Sequence, residues 1–502
     1  MKIHRPSLAE VGRIGELFGL DLDKEDIKSF RDLMDLTLTS YDRLTELVPS
    51  EKEYNYRRTH SYRPSASENP LNAWYQKCDI KGSKTGKLKG RTIVVKDNIC
   101  VGGVPMMNGS SILEGYIPDT DATVVTRILN AGGTIVGKSV CENLCFSGAS
   151  HTNDTGPVRN PHNHSKSSGG SSSGSAALVA ADEVDMALGG DQGGSIRMPA
   201  SWCGVVGLKP TFGLVPYTGA FPIEITLDHL GPITKNVGDC ALMLDVIAGS
   251  DGLDPRQSTN VRKISYSSYL DKSCSGMRIG VVKEGFGWNN LSEKNADQVV
   301  REASQKYTSL DVEIQDVSIP MHKDGIHIWN AIALEGANSL MIKGNGMGTN
   351  WKGAYNTSLL DYFSKGRLTR PNDLSETTKL VMLTGQYMTD RYQGRFYSIA
   401  QNLSRQLSAA YDQQLNSFDA LLMPTVPLVA TDIPDPTCSR EEYVARALEM
   451  INNTCPFDVT GHPAITIPCG LSDGMPVGMM LIGKRNGEQD ILKLANTFET
   501  LS

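Results

Sequence analysis

The 502-residue chain has no apolar run approaching the ~18 residues of a membrane span. Its first residues, MKIHRPSLAEVGRIGELFG, are polar within two residues of any apolar one, so no signal-peptide core is expected there. A basic excess is also missing. Lys and Arg number 49 against 56 Asp and Glu, a net charge of −7, which argues against a nucleic-acid footprint or a polybasic membrane patch. The ten cysteines are scattered without a CxxC pair, so reduced thiols in a cytosolic protein are expected rather than a disulfide framework. No internal repeat is found. No nucleic-acid or membrane partner is therefore expected.

Glycine, by contrast, is abundant: 49 residues, about 10% against a usual ~7%. Twenty of the 49 lie between positions 101 and 220, about a quarter of the chain. Backbone that side chains would obstruct is needed there, which directs the search for function to that stretch.

The chain reads as an N-terminal helical arm and linker (1–72), a core in two parts (73–261 and 396–502) and a smaller inserted domain (262–395). In the arm, Ser7-Leu8-Ala9-Glu10 fits a capping box and Val11, Ile14 and Phe18 follow at helical spacing. A second helix from about Asp23 carries Ile27, Phe30, Met34, Leu38 and Tyr41 on one face, as a packing or dimerisation arm would. From Thr92 strand-like and helical segments alternate: TIVVK at 92–96, a helix over 122–130, a strand over 133–136 and a helix over 176–181. Sheet-like runs return at 421–423, 464–468 and 477–482. The predicted fold class is α/β, with a central sheet covered by helices on both faces.

Gly132-x4-Gly137-Lys138-Ser139 satisfies the P-loop expression, but a helical segment precedes it and a strand lies inside it, the inverse of a phosphate loop. Ser165 to Ser175, SKSSGGSSSGS, has a linker's composition yet runs straight into the apolar helix AALVAA, where such backbone offers N–H donors and hydroxyls. Then comes Gly189-Gly190-Asp191-Gln192-Gly193-Gly194-Ser195-Ile196-Arg197, where glycines let a substrate approach backbone N–H groups able to bind an oxyanion. This is not a GxSxG elbow, and His151, His162, His164 and His229 carry no motif. A serine nucleophile without histidine needs another base, and Lys96 at the end of an apolar run is the candidate. Bringing a lysine from ~10.4 towards 7 takes roughly 4–5 kcal/mol, so the role requires burial. Cys203 is a rival nucleophile, although its neighbours in SWCGVVGL suggest a buried structural thiol. Cys141-x3-Cys145 places two thiols on one helical face with nothing to complete a metal set, and reads as core packing.

GGSSSGSAALVA and ALGGDQGGSIRMPASWCGVVGLKPTFGLVP together resemble the amidase signature family. So do VVKDN at 94–98, GGTIVGKS at 132–139, MPTVP at 423–427 and GHPAITIPCGL…GMPVGMMLIG, so that the resemblance covers roughly residues 75–500. The arm and the DQGGS and FDVTGHP wording look most like the nitrile-metabolism type, the acylamide amidohydrolases. The resemblance implies the amidase signature fold and a Ser–cis-Ser–Lys triad, with Ser195 as nucleophile, Ser171 as bridge and Lys96 as base. One departure is Ser173, where the family usually has glycine. Three consecutive serines then bring Ser172 beside the bridge as a supporting residue or its alternative, and the 24-residue spacing to Ser195 favours Ser171. The backbone of Gln192, Gly193, Gly194 and Ser195 is expected to hold the oxyanion, with Asp191 and Arg197 supporting the loop. Phe146 and Trp329 are expected to line an acyl pocket, though a core position suits Phe146 almost as well. The implied reaction is hydrolysis of a small carboxamide to acid and ammonia, needing no metal or organic cofactor. A carbamate (urethane), ester or anilide hydrolase and the amidase subunit of a tRNA-dependent amidotransferase are the alternatives, and the arm suggests a homodimer.

Overall fold

The computed structural model describes residues 3–47, 54–258, 261 and 264–501, which fall into two units divided between residues 52 and 53. The first unit holds α1 (Leu8–Leu17) and α2 (Lys24–Leu47). Ser7 and Glu10 close the capping box read from the sequence. Asp23 accepts the N–H groups of Glu25 and Asp26 at 2.8 Å and starts α2. No side chain of α2 is buried, and Phe30, Leu33, Leu36, Tyr41 and Leu44 are exposed.

The second unit is built on one mixed sheet. Its strands in chain order are β1 (Trp74–Lys81), β2 (Thr92–Lys96), β3 (Thr134–Ser139), β4 (Met186–Asp191), β5 (Val206–Lys209) and β6 (His229–Thr234). They continue with β7 (Arg278–Val282), β8 (Glu313–Val317), β9 (Ala420–Pro424), β10 (Ala464–Ser472) and β11 (Met475–Ile482). In space these 11 strands run β1-β3-β2-β4-β6-β5-β10-β11-β9-β7-β8. β2 lies parallel to both β3 and β4, while β6 pairs antiparallel with β4.

The two-sided core follows from the pleat. Ile93 and Val95 of β2 join one apolar cluster, and Val94 between them joins the other. Helix α3 (Thr123–Asn130) packs its Val124, Val125, Ile128 and Leu129 into the first cluster. Helices α4 (Ser173–Ala180) and α5 (Arg197–Cys203) pack Ala176–Val179, Ala200 and Cys203 into the second. A strand buried on both faces must read as a continuous apolar run, as TIVVK does.

Two expectations about organisation change. The stretch 262–395 is not a body apart: it supplies β7 and β8 at one end of the same sheet, and its helix Gly325–Ala337 sends Ile328, Trp329 and Ile332 into the main core. The linker expected at the end of the 1–72 arm does not reach residue 72, because Tyr62 already pairs with Lys77 of β1 and residues 54–72 belong to the second unit; positions 48–53 lie outside the described residues. Among the described residues no helix is long and apolar enough to cross a membrane.

Candidate active site

Two parallel neighbours in the sheet bring the chemistry together. β2 and β4 run side by side in the register Ile93↔Met186 and Val95↔Leu188, so Lys96 and the Gly190-Asp191 end of β4 emerge at the same edge. The carboxyl ends of parallel strands are where α/β sheets commonly build their sites. Lys96 is fully buried, and its Nζ bonds Ser171 Oγ at 2.8 Å and the Gly190 carbonyl at 3.1 Å. The burial required of a lysine base is thus present. No carboxylate among the described residues pairs with it, whereas buried Lys138 meets Asp97 at 2.9 Å.

Ser171 lies in the Ser-Gly loop ahead of α4 and follows a cis Gly170–Ser171 peptide. The loop is held through backbone: Gly170 N–H donates to the Gly148 carbonyl at 2.7 Å and Glu142 N–H to the Ser171 carbonyl at 3.3 Å. Ser172 occupies a different place from Ser171. Its hydroxyl donates to the Gly190 carbonyl at 3.2 Å and accepts the Gly190 N–H at 3.3 Å, and its own N–H reaches the Ser195 carbonyl at 3.2 Å. Ser173, the departure from the family wording, opens α4 and donates to Glu142 Oε1 at 2.8 Å. Glu142 is buried, which pushes its carboxyl up to about 6 against hydrogen bonds from Thr152, Ser173 and Asn153. A glycine at 173 would leave this carboxylate one donor short.

The Gln192–Ser195 loop hangs on Asp191. Its carboxylate accepts the Gly194 N–H at 2.6 Å and the Ile196 N–H at 3.0 Å, and Arg197 grips it with Nε and Nη2, both at 3.0 Å. Burial opposes ionisation of Asp191, but the Arg197 charge outweighs it and holds the carboxyl well below the usual range. One expectation is corrected here. The Gly194 N–H is spent on Asp191 and is lost to an oxyanion, while the N–H groups of Gln192, Gly193 and Ser195 meet no acceptor among the described residues. Gly194, at φ 134°, has no room for a side chain, since a Cβ would lie 2.3 Å from Thr454 Oγ1.

Ser195 is 5% exposed, and its hydroxyl makes no hydrogen bond within the protein, to Ser171 or to any other described group. It opens on a cavity lined by Phe146, Met198, Ile223, Leu227, Trp329 and Ile451 among others. The Phe146 and Trp329 rings lie 6.2 Å apart in its wall. Trp329 also has a second contact that the sequence did not suggest: its Nε1 donates to the Gln192 carbonyl at 2.7 Å. Thr454 does the same for the Gly193 carbonyl at 2.6 Å. Thr454 had no motif around it, and Asp458, which accepts from Arg197 at 2.7 Å, sat unremarked inside the quoted FDVTGHP run.

The rivals stand elsewhere. Cys203 is fully buried in α5, donates to the Ser168 carbonyl at 3.2 Å, and burial pushes its thiol far up. The P-loop lookalike is strand β3, with Lys138 turned inward to Asp97. His151 bonds the Tyr443 carbonyl, His162 the Cys203 carbonyl and His229 the Leu227 carbonyl, so none serves Ser195. Lys209 is a further buried lysine, brought down to about 7 by burial, but it faces His229 and the Pro210 carbonyl rather than a hydroxyl.

This geometry has counterparts. The sequence matches the amidase family over residues 42–492. It is 48% identical over 439 residues to an enantioselective amidase of Rhodococcus rhodochrous, covering 87% of this chain and 84% of that protein. It is 37% identical over 420 residues to a glutamyl-tRNA(Gln) amidotransferase subunit of Caldanaerobacter subterraneus, covering 84% of each. The crystal structure of the corresponding subunit from Thermotoga maritima superposes with a TM-score of 0.71 at 31% identity, over 86% of this chain and 88% of that one. The chain belongs to the amidase family and is a hydrolase of amide carbon–nitrogen bonds.

Proposed function

We propose that the protein hydrolyses small carboxamides bearing an apolar acyl group to the carboxylic acid and ammonia, through an acyl-enzyme on Ser195. The observation that carries this reading is the 2.8 Å contact between the buried Lys96 amine and Ser171 Oγ, beside a serine whose hydroxyl is free. Lys96, acting as the neutral amine, takes the proton of Ser171, and Ser171 takes that of Ser195 as its oxygen attacks the carbonyl. The Ser195–Ser171 contact that this relay needs forms when substrate seats, as catalytic hydrogen bonds commonly do. The free N–H groups of Gln192, Gly193 and Ser195 receive the oxyanion, and the loss of one such donor typically costs about 10²–10³ in rate. The proton returns to the leaving nitrogen, and water releases the acid by the same route. Phe146, Met198, Ile223, Leu227 and Trp329 favour an aryl or branched-alkyl acyl group over a charged one.

Amides and carbamates present the same carbonyl to the same serine, so product analysis separates them. Ammonia and acid alone are expected; alcohol and carbon dioxide with ammonia would assign the protein to carbamates instead. A fluorophosphonate label mapped to Ser195 checks the nucleophile. An amidotransferase subunit would act within a larger assembly, and ammonia release by the isolated chain would speak against that role. The 48% identity to an amidase, against 37% to the amidotransferase subunit, favours the free-standing enzyme.

The arm's exposed apolar side chains support a homodimer, which sedimentation as a monomer would exclude. Ten free cysteines support a reducing, cytoplasmic setting.

Trp329 divides into wall and strut. Trp329→Phe keeps a ring in the pocket but drops the bond to the Gln192 carbonyl. With a net hydrogen bond worth about 0.5–1.5 kcal/mol, kcat should fall about two- to tenfold while KM for an apolar amide changes little. A raised KM with kcat intact would reduce Trp329 to pocket wall.

A further inference from the structure

The Cys141-x3-Cys145 spacing completes no metal set, and the fold uses it differently from a helical face. Both thiols donate to one acceptor, Asn108 Oδ1, at 3.4 and 3.3 Å. Sharing one acceptor oxygen brings the two sulfurs to the same spot, and the ionisation of Cys145 is tied to Cys141, Lys96 and Ser171. Leu144 and Cys145 carry successive left-handed conformations, φ 46° and 60°, so the pair sits on a tight turn and not on a regular helix. Cys145 is part of the pocket wall beside Ser195, while Cys141 behind it is fully buried.

We propose that Cys141 and Cys145 form a peroxide-sensitive thiol pair whose closure to a disulfide shuts the catalytic site. The oxidant is hydrogen peroxide, small enough to enter by the substrate pocket. The Cys145 thiolate attacks one peroxide oxygen; the S–O bond forms, the O–O bond breaks, and the departing oxygen leaves as water after taking a proton. The Cys141 sulfur then displaces hydroxide from the Cys145 sulfenic acid, the S–S bond forms, and a second water carries off the Cys141 proton. Two thiols lose two electrons in all and one peroxide becomes two waters.

Their unequal surroundings set the order of events. Burial opposes ionisation of Cys145, but the hydrogen bond from Cys141 outweighs it, helped by the Lys96 charge whenever that amine is protonated rather than neutral as in turnover, and the thiol comes down to about 7. Burial leaves Cys141 well above its ordinary value. Cys145 is therefore the thiol that meets peroxide, and Cys141 the one that resolves it. Closure shifts Cys145 from its place in the pocket wall beside Ser195 and breaks its bond to Asn108. It also pulls on the segment 142–148, whose Glu142 N–H and Gly148 carbonyl hold the Ser171 loop.

The effect on turnover rests on the reading of Ser171 and Lys96 as catalytic, whereas the cross-link does not, so the two are measured separately. The full-length protein is treated with hydrogen peroxide, and the peptide spanning 141–145 is weighed before and after reduction with dithiothreitol. The expected peptide has lost two hydrogens, amidase activity is lost in step with it, and both return on reduction. Cys141→Ser should retain basal turnover and lose the dithiothreitol-reversible inactivation. Thiols that stay reduced while activity is lost, a Cys141→Ser protein inactivated and rescued like the wild type, or a cross-linked protein with full activity would each overturn the proposal. A failed triad shows itself independently, as turnover by Ser195→Ala.

Discussion

Ser195→Ala should fold as the wild type does and release no measurable ammonia, a fall in kcat on the order of 10⁴-fold or more. The substituted hydroxyl makes no hydrogen bond among the described residues and lies in the pocket lining, so its removal takes the nucleophile and little else. Lys96 calls for a more careful replacement. Alanine would open a cavity at the fully buried end of β2 and mix packing with chemistry, whereas Lys96→Met keeps the unbranched stem and deletes only the amine. Lys96→Met should match Ser195→Ala in lost turnover while keeping a near-wild-type melting temperature. The two changes together should cost no more than either alone, because residues that move one proton act as a unit. Cys203→Ala, remote from the cavity, should keep the chemistry. Turnover near the wild-type level in a folded Ser195→Ala protein would remove the serine mechanism altogether.

The serine and the lysine were legible because each sits where local pattern forces the chain. An apolar run that ends in lysine is a buried strand ending in lysine, and glycines before a serine can only be there for backbone access. The strands at 92–96, 133–136, 421–423, 464–468 and 477–482 were legible for the same reason. What escaped was pairing across long separations. β7 lies parallel to β9, with Ile279 beside Ala420, and nothing in either run announces the other; hence 262–395 looked like a separate domain. The thiol pair escaped differently. Its turn is made by Leu144 and Cys145 in left-handed conformations, with no glycine to mark it, so a helical spacing was the natural reading. The Gly194 N–H was assigned to the oxyanion because glycine implies access, yet Asp191 three residues earlier accepts it first. Trp329 and Thr454 hold the loop from 137 and 261 residues away, a distance over which no motif extends.

Arg197 should prove to be the largest single contributor to stability around the loop. It is fully buried, grips Asp191 twice, bonds Asp458 at 2.7 Å and donates to the Thr454 carbonyl at 2.9 Å. Arg197→Met leaves the Asp191 carboxylate in the interior without its counter-charge and Asp458 without its donor, and breaking a buried pair in this way costs about 3–5 kcal/mol. That is a large part of a typical 5–15 kcal/mol, so a marked drop in melting temperature is expected. Turnover should fall with it, since Gly194 and Ile196 take their positions from the Asp191 carboxylate. The pH dependence separates this cause from simple loss of packing. In the wild type Asp191 is held below its ordinary 3.8, so its contribution is present above that pH and is lost as the pH falls through the folded value. Without Arg197, burial weighs more heavily against the Asp191 charge, which keeps only its Gly194 and Ile196 N–H donors nearby, so its carboxyl rises and the variant gains relative stability as the pH falls. The difference in melting temperature between the two proteins should therefore narrow from pH 7 towards pH 4. A gap that stays constant with pH would mean that Arg197 fills space rather than balancing Asp191.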